Sequence, residues 1–376
     1  MLKMRGFTII EFMIAITLSL MVLAALTGAF VANSRSRTEI ERANEQMENG
    51  RFALQLLTDD LQLAGYLSHF NAVNATSLTL PAAKPNPCAT SVSAIDTALL
   101  MHIQGYDDPL TLDSDLDDCL SDLKAGTDVV VIRRTATCVS GSTNCAAVAG
   151  APYFQASLCA GPNELGATDL DATRYYDLDT NTGNLTRTQR NCTTTAELRQ
   201  FLTHIYFVAN NDQAGDGIPT LKRAELGAVS GAATFTIVPL AHGIENLQIE
   251  YGIDTDGNGV PWSGDGIPNV FTASPDRYNR ASPSSPYANC AANAANCIRN
   301  WGDVMAIKLS VLARNTAASR DYLDTKVYTL GLTVAGADKC ARDIEPDGTC
   351  DAFNDAIKRH VYQTSVRLNN PAGRRE

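Results

Sequence analysis

Hydrophobic residues form one long run near the start of the chain, and short alternating runs follow in the rest. The long run covers residues 7–32 and contains a single charged residue, Glu11. Its length of about 26 residues exceeds the roughly 20 that a membrane-spanning helix requires. A carboxylate inside such a segment costs about 2.5 to 3.5 kcal/mol on insertion scales, so we expect Glu11 to have a binding partner.

The helical pattern continues beyond the apolar run. Residues 34–63 contain no proline, and apolar residues recur there at steps of three and four, which places them in one stripe. The stripe consists of Met47, Leu54, Leu57, Leu61 and Ala64. Charged residues, among them Asp59 and Asp60, occupy the other faces. The pattern predicts one helix from Phe7 to about Ala64, roughly 90 Å long, whose amphipathic second half lies on a folded domain.

From residue 67 onward the pattern changes to short alternating runs, which predict β-strands. The candidate strands are residues 77–80, 98–103, 128–133, 198–208, 233–238, 247–253, 304–313, 326–334 and 360–368. Polar loops rich in glycine and proline separate them, the longest over residues 268–300. We expect the last residues, 369–376, to be frayed. The chain is therefore predicted to be α+β, with a long N-terminal helix packed on an antiparallel β-sheet domain.

Ten cysteines occur in the chain, all after residue 87. An even number behind an export segment predicts disulfide bonds formed in an oxidising compartment, which would staple the long loops. Short spacings favour the pairs Cys138–Cys145, Cys290–Cys297 and Cys340–Cys350, and proximity along the chain adds Cys88–Cys119 and Cys159–Cys192. Metal binding is the alternative interpretation, but the chain contains no Cys-x-x-Cys. Connectivity is not determined by sequence alone.

The charge and the motifs bear on the class of function. The formal net charge is −11, and an acidic surface repels nucleic-acid phosphates, so we expect no nucleic-acid partner. The chain contains none of the motifs that mark metalloproteases, α/β-hydrolases, P-loop proteins or dinucleotide-binding enzymes. We therefore expect a protein that is not an enzyme.

One segment has the spacing of a calcium-binding loop. Asp254, Asp256 and Asn258 precede Gly259 as in the motif D-x-[DN]-x-[DN]-G, and Asp265 stands at the twelfth position. Closely spaced hard oxygens of this kind favour Ca²⁺, so calcium is a possible cofactor. The loop departs from the motif because the twelfth residue is not Glu and a predicted strand precedes it. A polar hairpin turn without a metal is the alternative interpretation.

The first residues resemble the N-terminus of type IV prepilins and of the related pseudopilins of type II secretion. The resemblance is carried by Gly6, Phe7, Thr8, Glu11 and the apolar run behind them. It implies that a membrane prepilin peptidase cleaves between Gly6 and Phe7 and that the new N-terminal Phe7 is N-methylated. It also implies that Glu11 meets the N-terminal amine of a neighbouring subunit during assembly.

The resemblance also suggests a division of the chain. Residues 1–6 would be the cleaved leader, residues 7–32 the transmembrane and filament-core helix, residues 33–66 its amphipathic continuation, and residues 67–376 a β-rich globular domain outside the membrane. A secretory signal is a poorer interpretation, because the apolar core is too long and lacks a clean A-x-A cleavage site. A plain membrane anchor explains the length but neither the Gly6–Phe7 junction nor Glu11.

A second resemblance lies in the C-terminal half. Residues 207–223, 243–259, 301–314 and 362–369 are similar to the PilW type of minor pilin. This implies a pilin-like fold and a low-abundance subunit that primes pilus assembly and sits at the pilus tip. Its partners would be other minor pilins, the major pilin, the inner-membrane assembly platform and a tip adhesin. The alternatives are a minor pseudopilin of type II secretion and a membrane-anchored adhesin or receptor.

Overall fold

A computed structural model describes most of the chain and identifies one dominant helix. The described residues are 8–70, 80–109, 114–167, 172–256, 264–280, 290, 297–333, 335–342 and 349–375. Helix α1 spans Ile9–Gln62. It begins with Thr8 as N-cap and is followed by Gly65 at φ +71°, a left-handed conformation that glycine adopts without steric cost. The predicted helix and its end near Ala64 are thus confirmed.

The two halves of α1 differ in their surroundings. Every side chain from Thr8 to Thr38 is exposed, whereas the second half buries one face against the domain. The buried residues are Gln46, Gly50, Ala53, Leu57, Asp60 and Leu61. The predicted stripe is right for Leu57 and Leu61 but wrong for Met47, which is 43% exposed. The buried face is rotated relative to the predicted stripe. Gly50 and Ala53 lie on it, and because they are small they allow the helix to approach the strands closely.

Two antiparallel sheets and a small hairpin form the domain. The first contains β1 (Ile103–Tyr106), β2 (Val129–Thr135), β3 (Tyr153–Ala156), β4 (Tyr176–Asp179), β5 (Arg199–Ala209), β6 (Thr220–Val229) and β7 (Ala232–His242). Its order is β1-β2-β5-β3-β4, with β6 paired to both β5 and β7. The second contains β8 (Ile244–Ile253), β9 (Val270–Thr272), β10 (Val304–Arg314) and β13 (Arg359–Arg367), in the order β13-β10-β8-β9. Strands β11 (Thr329–Leu332) and β12 (Asp338–Cys340) pair with each other.

Four short α-helices and three 3₁₀ helices, Thr182–Asn184, Pro275–Arg277 and Ile298–Asp303, complete the described elements. The α-helices are α2 (Val92–Ala98), α3 (Ser114–Asp117), α4 (Ala172–Tyr175) and α5 (Asn369–Gly373). The α+β class and the helix-on-sheet arrangement are confirmed, although the strands divide into two main sheets. The strand predicted at 98–103 is wrong, because α2 ends at Ala98 and β1 begins only at Ile103. Strand β6 escaped prediction because its Lys, Arg, Ala and Glu residues have low strand propensity, and pairing with β5 and β7 overrides that preference.

One hydrophobic core joins α1 to both sheets. Leu57 and Leu61 of α1 contact a buried cluster that includes Tyr206 of β5 and Ile307 of β10. Trp301, which lies just before β10, belongs to the same cluster and is 1% exposed. The second half of the helix is therefore a packed part of the domain up to its last turn.

Five disulfide bonds cross-link the loops. They join Cys88 to Cys119, Cys138 to Cys145, Cys159 to Cys192, Cys290 to Cys297 and Cys340 to Cys350. These are the pairs that proximity along the sequence favours, and all ten cysteines are used. Each bond closes a loop of modest length, so together they restrict the unfolded chain without tying distant parts of the domain.

Candidate functional site

The N-terminal segment of α1 exposes an apolar surface with one acid in its first turn. Glu11 and Thr8 form a capping box: the Thr8 N–H and hydroxyl each donate to Oε2 of Glu11 at 2.9 Å, and the Glu11 N–H donates to Oγ1 of Thr8 at 3.3 Å. This arrangement satisfies two groups at the helix start. A carboxylate in the first turn also interacts favourably with the positive end of the helix dipole.

The other polar side chains of this segment are satisfied within the helix. Thr17, Ser19 and Thr27 donate to carbonyl oxygens three or four residues earlier, at 2.9, 2.7 and 2.8 Å. Between Ile9 and Ser34 the sequence holds no charged residue other than Glu11. The helix is long and apolar enough to cross a membrane. Glu11 is consequently the charged group of this segment, and its carboxylate can still bind a partner outside the helix. Gly6 and Phe7, where cleavage was predicted, lie outside the described residues.

A buried polar network attaches the end of α1 to the first sheet. Asp60 accepts hydrogen bonds from His204 Nδ1 at 2.6 Å, from the Tyr206 hydroxyl at 2.8 Å and from Arg134 Nε at 2.7 Å. Arg223 in turn donates to the Tyr206 hydroxyl at 3.0 Å. The sequence pattern had placed Asp60 on the polar face, and this was wrong: Asp60 is 5% exposed. The sequence did contain a signal for this burial, because Asp60 lies three residues after Leu57 and so falls on the same helix face as the apolar stripe.

Electrostatics favour the ionised form of Asp60. Burial would raise the pKa of this carboxyl, but the hydrogen bond and charge of His204 and the neighbouring Arg134 outweigh it and hold the pKa well below its usual range. Asp60 is thus ionised in the folded protein, and its carboxylate links one helix to two strands.

The structure brings the candidate calcium ligands together. Oxygen atoms of Asp254, Asp256 and Asp265, here called the carboxylate cluster, lie within 4.8 Å of one another. Asp254 is fully buried, whereas the other two are exposed. Asn258 lies outside the described residues. The donor chemistry suits a hard cation such as Ca²⁺.

Asp254 already has protein partners. Its carboxylate accepts from the backbone N–H groups of Asp256 at 3.1 Å and Gly266 at 2.9 Å, and it pairs with Arg375 Nη1 at 3.1 Å. A side chain at Gly264, whose φ is +115°, would overlap this carboxylate. A cation would therefore compete with Arg375 for its most buried ligand, and calcium binding at the carboxylate cluster stays a prediction.

The C-terminal segment is ordered, contrary to the predicted fraying. Arg375 is 1% exposed and also pairs with Asp303 at 2.5 Å, while Arg374 donates to the Gly65 carbonyl at 3.1 Å. Sequence reasoning missed these contacts because they depend on acids far away in the chain. The segment closes the fold between the end of α1 and the carboxylate cluster.

Comparison with known proteins identifies part of the chain. The family model described as Type IV Pilus-assembly protein W, or PilW, matches residues 205–370. This region is PilW-like. It extends from within β5 to the start of α5, and so contains both the second sheet and the carboxylate cluster. The PilW-like region agrees with the resemblance that the sequence motifs indicated.

Two further similarities come from Thermus thermophilus. The pilin-like protein PilA3 is 34% identical over 79 residues, which is 20% of this chain and 34% of that protein. The chain thus spans about a third of the length of this curated relative. A solved type IV-like pilin is 12% identical with a TM-score of 0.25, covering 67% of this chain and 81% of that one. At that TM-score we draw no conclusion from the structural likeness.

Proposed function

We propose that the protein is a minor pilin that primes assembly of a type IV pilus and is incorporated at its tip. The observation that carries this proposal is the first half of α1, which projects from the domain with all its side chains exposed and with Glu11 in its first turn. An apolar surface of this length needs a membrane or neighbouring helices to cover it. The PilW match supports a pilus over a secretion pseudopilus.

In the proposed mechanism the segment first anchors the chain in the inner membrane, with the domain on the outer side. The prepilin peptidase then cleaves between Gly6 and Phe7 and exposes a new amine. Glu11 exchanges its bonds to Thr8 for this amine on a neighbouring subunit, which lowers the cost of burying both charges. Other minor pilins, the major pilin, the assembly platform and a tip adhesin are the proposed partners. The role is structural, and no catalytic step is assigned.

A single substitution tests the proposal. Glu11→Ala removes the acid from the apolar segment but lies far from the packed domain, so the domain should stay folded. We expect the variant to insert in the membrane and to be lost from sheared pili by at least tenfold, measured by immunoblot against the membrane fraction. Glu41→Ala, an exposed acid of the same helix, is the matched control and should be incorporated normally. Normal incorporation of the Glu11 variant would refute the assembly role.

A deletion strain separates the pilus from the secretion alternative. Loss of pili with secretion intact is the expected result. Loss of secretion with normal pili would instead assign the chain to a pseudopilus.

A further inference from the structure

Strand β7 ends the first sheet with an open backbone edge. It pairs with β6 on one side, and among the described residues no other strand pairs with its opposite side. The hairpin turn between the strands, Ser230–Gly231, has φ angles of +53° and +82° at its two residues. A two-residue turn of this kind makes Val229 and Ala232 a hydrogen-bonded pair.

The register then fixes which backbone groups face outward. Ala233, Phe235 and Ile237 stand opposite Ala228, Leu226 and Ala224 in the non-hydrogen-bonded positions. Their N–H and C=O groups therefore point away from β6. This gives three donors and three acceptors in a row, spaced as in a sheet ladder. Pro239, which has no N–H, ends the row.

The side chains at this edge are covered on one side only. Phe235 and Ile237 are half-buried and pack against core residues of the sheet, whereas Thr236 between them is exposed. Their inner neighbours across the pair, Leu226 and Ala224, are 1% and 0% exposed. An additional strand would complete the burial of Phe235 and Ile237 if its own inward residues were apolar.

Before Pro239 and the register shift beside it, the edge lacks the devices that usually prevent strand addition. Residues 232–241 contain no charged side chain, and charges on an edge are the common protection. Other outer strands of the two main sheets differ: β1 and β9 are short, β4 carries Asp177 and Asp179, and β13 lies against α1. Strand β7 is thus the long uncharged edge of the described domain.

The location of β7 indicates the occupant. Helix α1 packs beside β7, where Leu54 and Leu240 join the same core. A subunit that docks on α1 in a filament would therefore reach this edge. The second half of α1 also contacts β13 and β10, and Asp60 near its end bonds to β5.

The symmetry of a filament argues against pairing with a second copy of this chain. Antiparallel pairing of two β7 strands needs a twofold axis, which brings the same edge of both copies together. Copies related along a filament instead make head-to-tail contacts between different surfaces. An extended segment of another subunit has no such restriction.

We propose that the β7 edge binds an extended, uncharged segment of a different pilus subunit by strand addition. The segment pairs with Ala233, Phe235 and Ile237, and its alternate apolar residues cover the two half-buried side chains. This inference rests on the proposed function for the kind of partner, but it uses a surface separate from Glu11.

Photo-crosslinking in pilus-forming cells tests the proposal with the full chain. A benzoylphenylalanine at Thr236, next to the edge, should crosslink to another pilus subunit, and mass spectrometry should place the contact in an extended segment with alternating apolar residues. The same probe at Thr193, an exposed residue next to the Cys159–Cys192 disulfide, should give at most a tenth of that yield. No crosslink at Thr236, or a crosslink only to a second copy of this chain, overturns the proposal.

Two substitutions then examine the backbone itself. Ala233→Pro removes an N–H that points outward. The side chain that it replaces is small, and edge strands tolerate proline. We expect it to lower the Thr236 crosslink at least tenfold, while Ala233→Ser, which keeps the N–H, crosslinks like the parent. An equal yield in the proline variant overturns strand addition. A circular dichroism melt within a few degrees of the parent confirms that the proline variant is folded.

The same cells separate the two proposals. If the parent chain is present in sheared pili but the Thr236 crosslink is missing, the edge proposal fails and the filament role stands. If the parent chain is missing from pili, the filament role fails, and the partner assigned to the edge fails with it.

Discussion

The network around Asp60 supplies a stability prediction that links the helix to the domain. Asp60→Ala leaves His204 and Arg134 without their buried acceptor and removes one of the partners of Tyr206. Removing one member of a buried, hydrogen-bonded ion pair costs about 3 to 5 kcal/mol, because the remaining charge is left unpaired. The adjacent Asp59 is exposed, so Asp59→Ala should change the free energy of unfolding by no more than about 0.5 kcal/mol.

Chemical denaturation of the full chain in detergent, with its disulfides intact, measures the difference. Fluorescence of the buried Trp301 reports on unfolding of the joint core once Trp262→Phe has removed the other tryptophan of the chain from every protein compared. If the Asp60 and Asp59 variants unfold within about 0.5 kcal/mol of each other, then the network does not hold the helix to the sheet, and the reasoning from its geometry is refuted.

The pH dependence of the same variants gives a second check. The folded pKa of Asp60 lies below its ordinary value of 3.8, so its contribution is complete above about pH 5 and is lost on acidification through the folded pKa. Asp60→Asn keeps an acceptor but cannot ionise. We expect its deficit against the parent to shrink as the pH falls below about 4. A deficit that is constant from neutral to acidic pH would contradict the assignment.

Three further outcomes are expected. Burial lowers the pKa of His102 to about 4 from 6.5, so the contribution of this residue to the unfolding free energy should fall by about 3 kcal/mol between pH 6.5 and 4, and the difference between the parent and His102→Gln in denaturation curves should show it. Gly50→Ala should destabilise by about 1 to 3 kcal/mol, since its Cβ would overlap the Tyr362 ring, whereas Gly28→Ala meets no neighbour and should not lower the melting temperature. Arg375→Gln should strengthen calcium binding about tenfold in calorimetry. If neither the parent nor this variant gives a heat of binding at millimolar Ca²⁺, the calcium site is ruled out.

The sequence predicts elements whose stability is local or strongly patterned. Helix α1 was predictable because its apolar run and its long proline-free continuation are helix signals at every step. The strands around residues 247–253 and 304–313 were predictable from their alternation. The proximity of paired cysteines likewise indicated which loops are closed.

Elements fixed by distant contacts were not predictable. Strand β6 depends on its two neighbouring strands, and β3 and β4 have only four residues each. The burial of Asp60 depends on β2 and β5, and the order of Arg375 depends on Asp254 and Asp303. Asp60 and Arg375 are both stabilised by partners more than 70 positions away. A local sequence pattern does not contain that information.

The contacts of the C-terminal segment bear on the order in which the domain folds. Asn370 and Arg374 donate to the carbonyls of Ala64 and Gly65 at the end of α1, and Arg375 reaches Asp254. These donors are synthesised more than 100 residues after the groups that they contact. The end of α1 therefore stays without them until residues 370–375 have been made, and the native contacts at the base of the helix form late during synthesis.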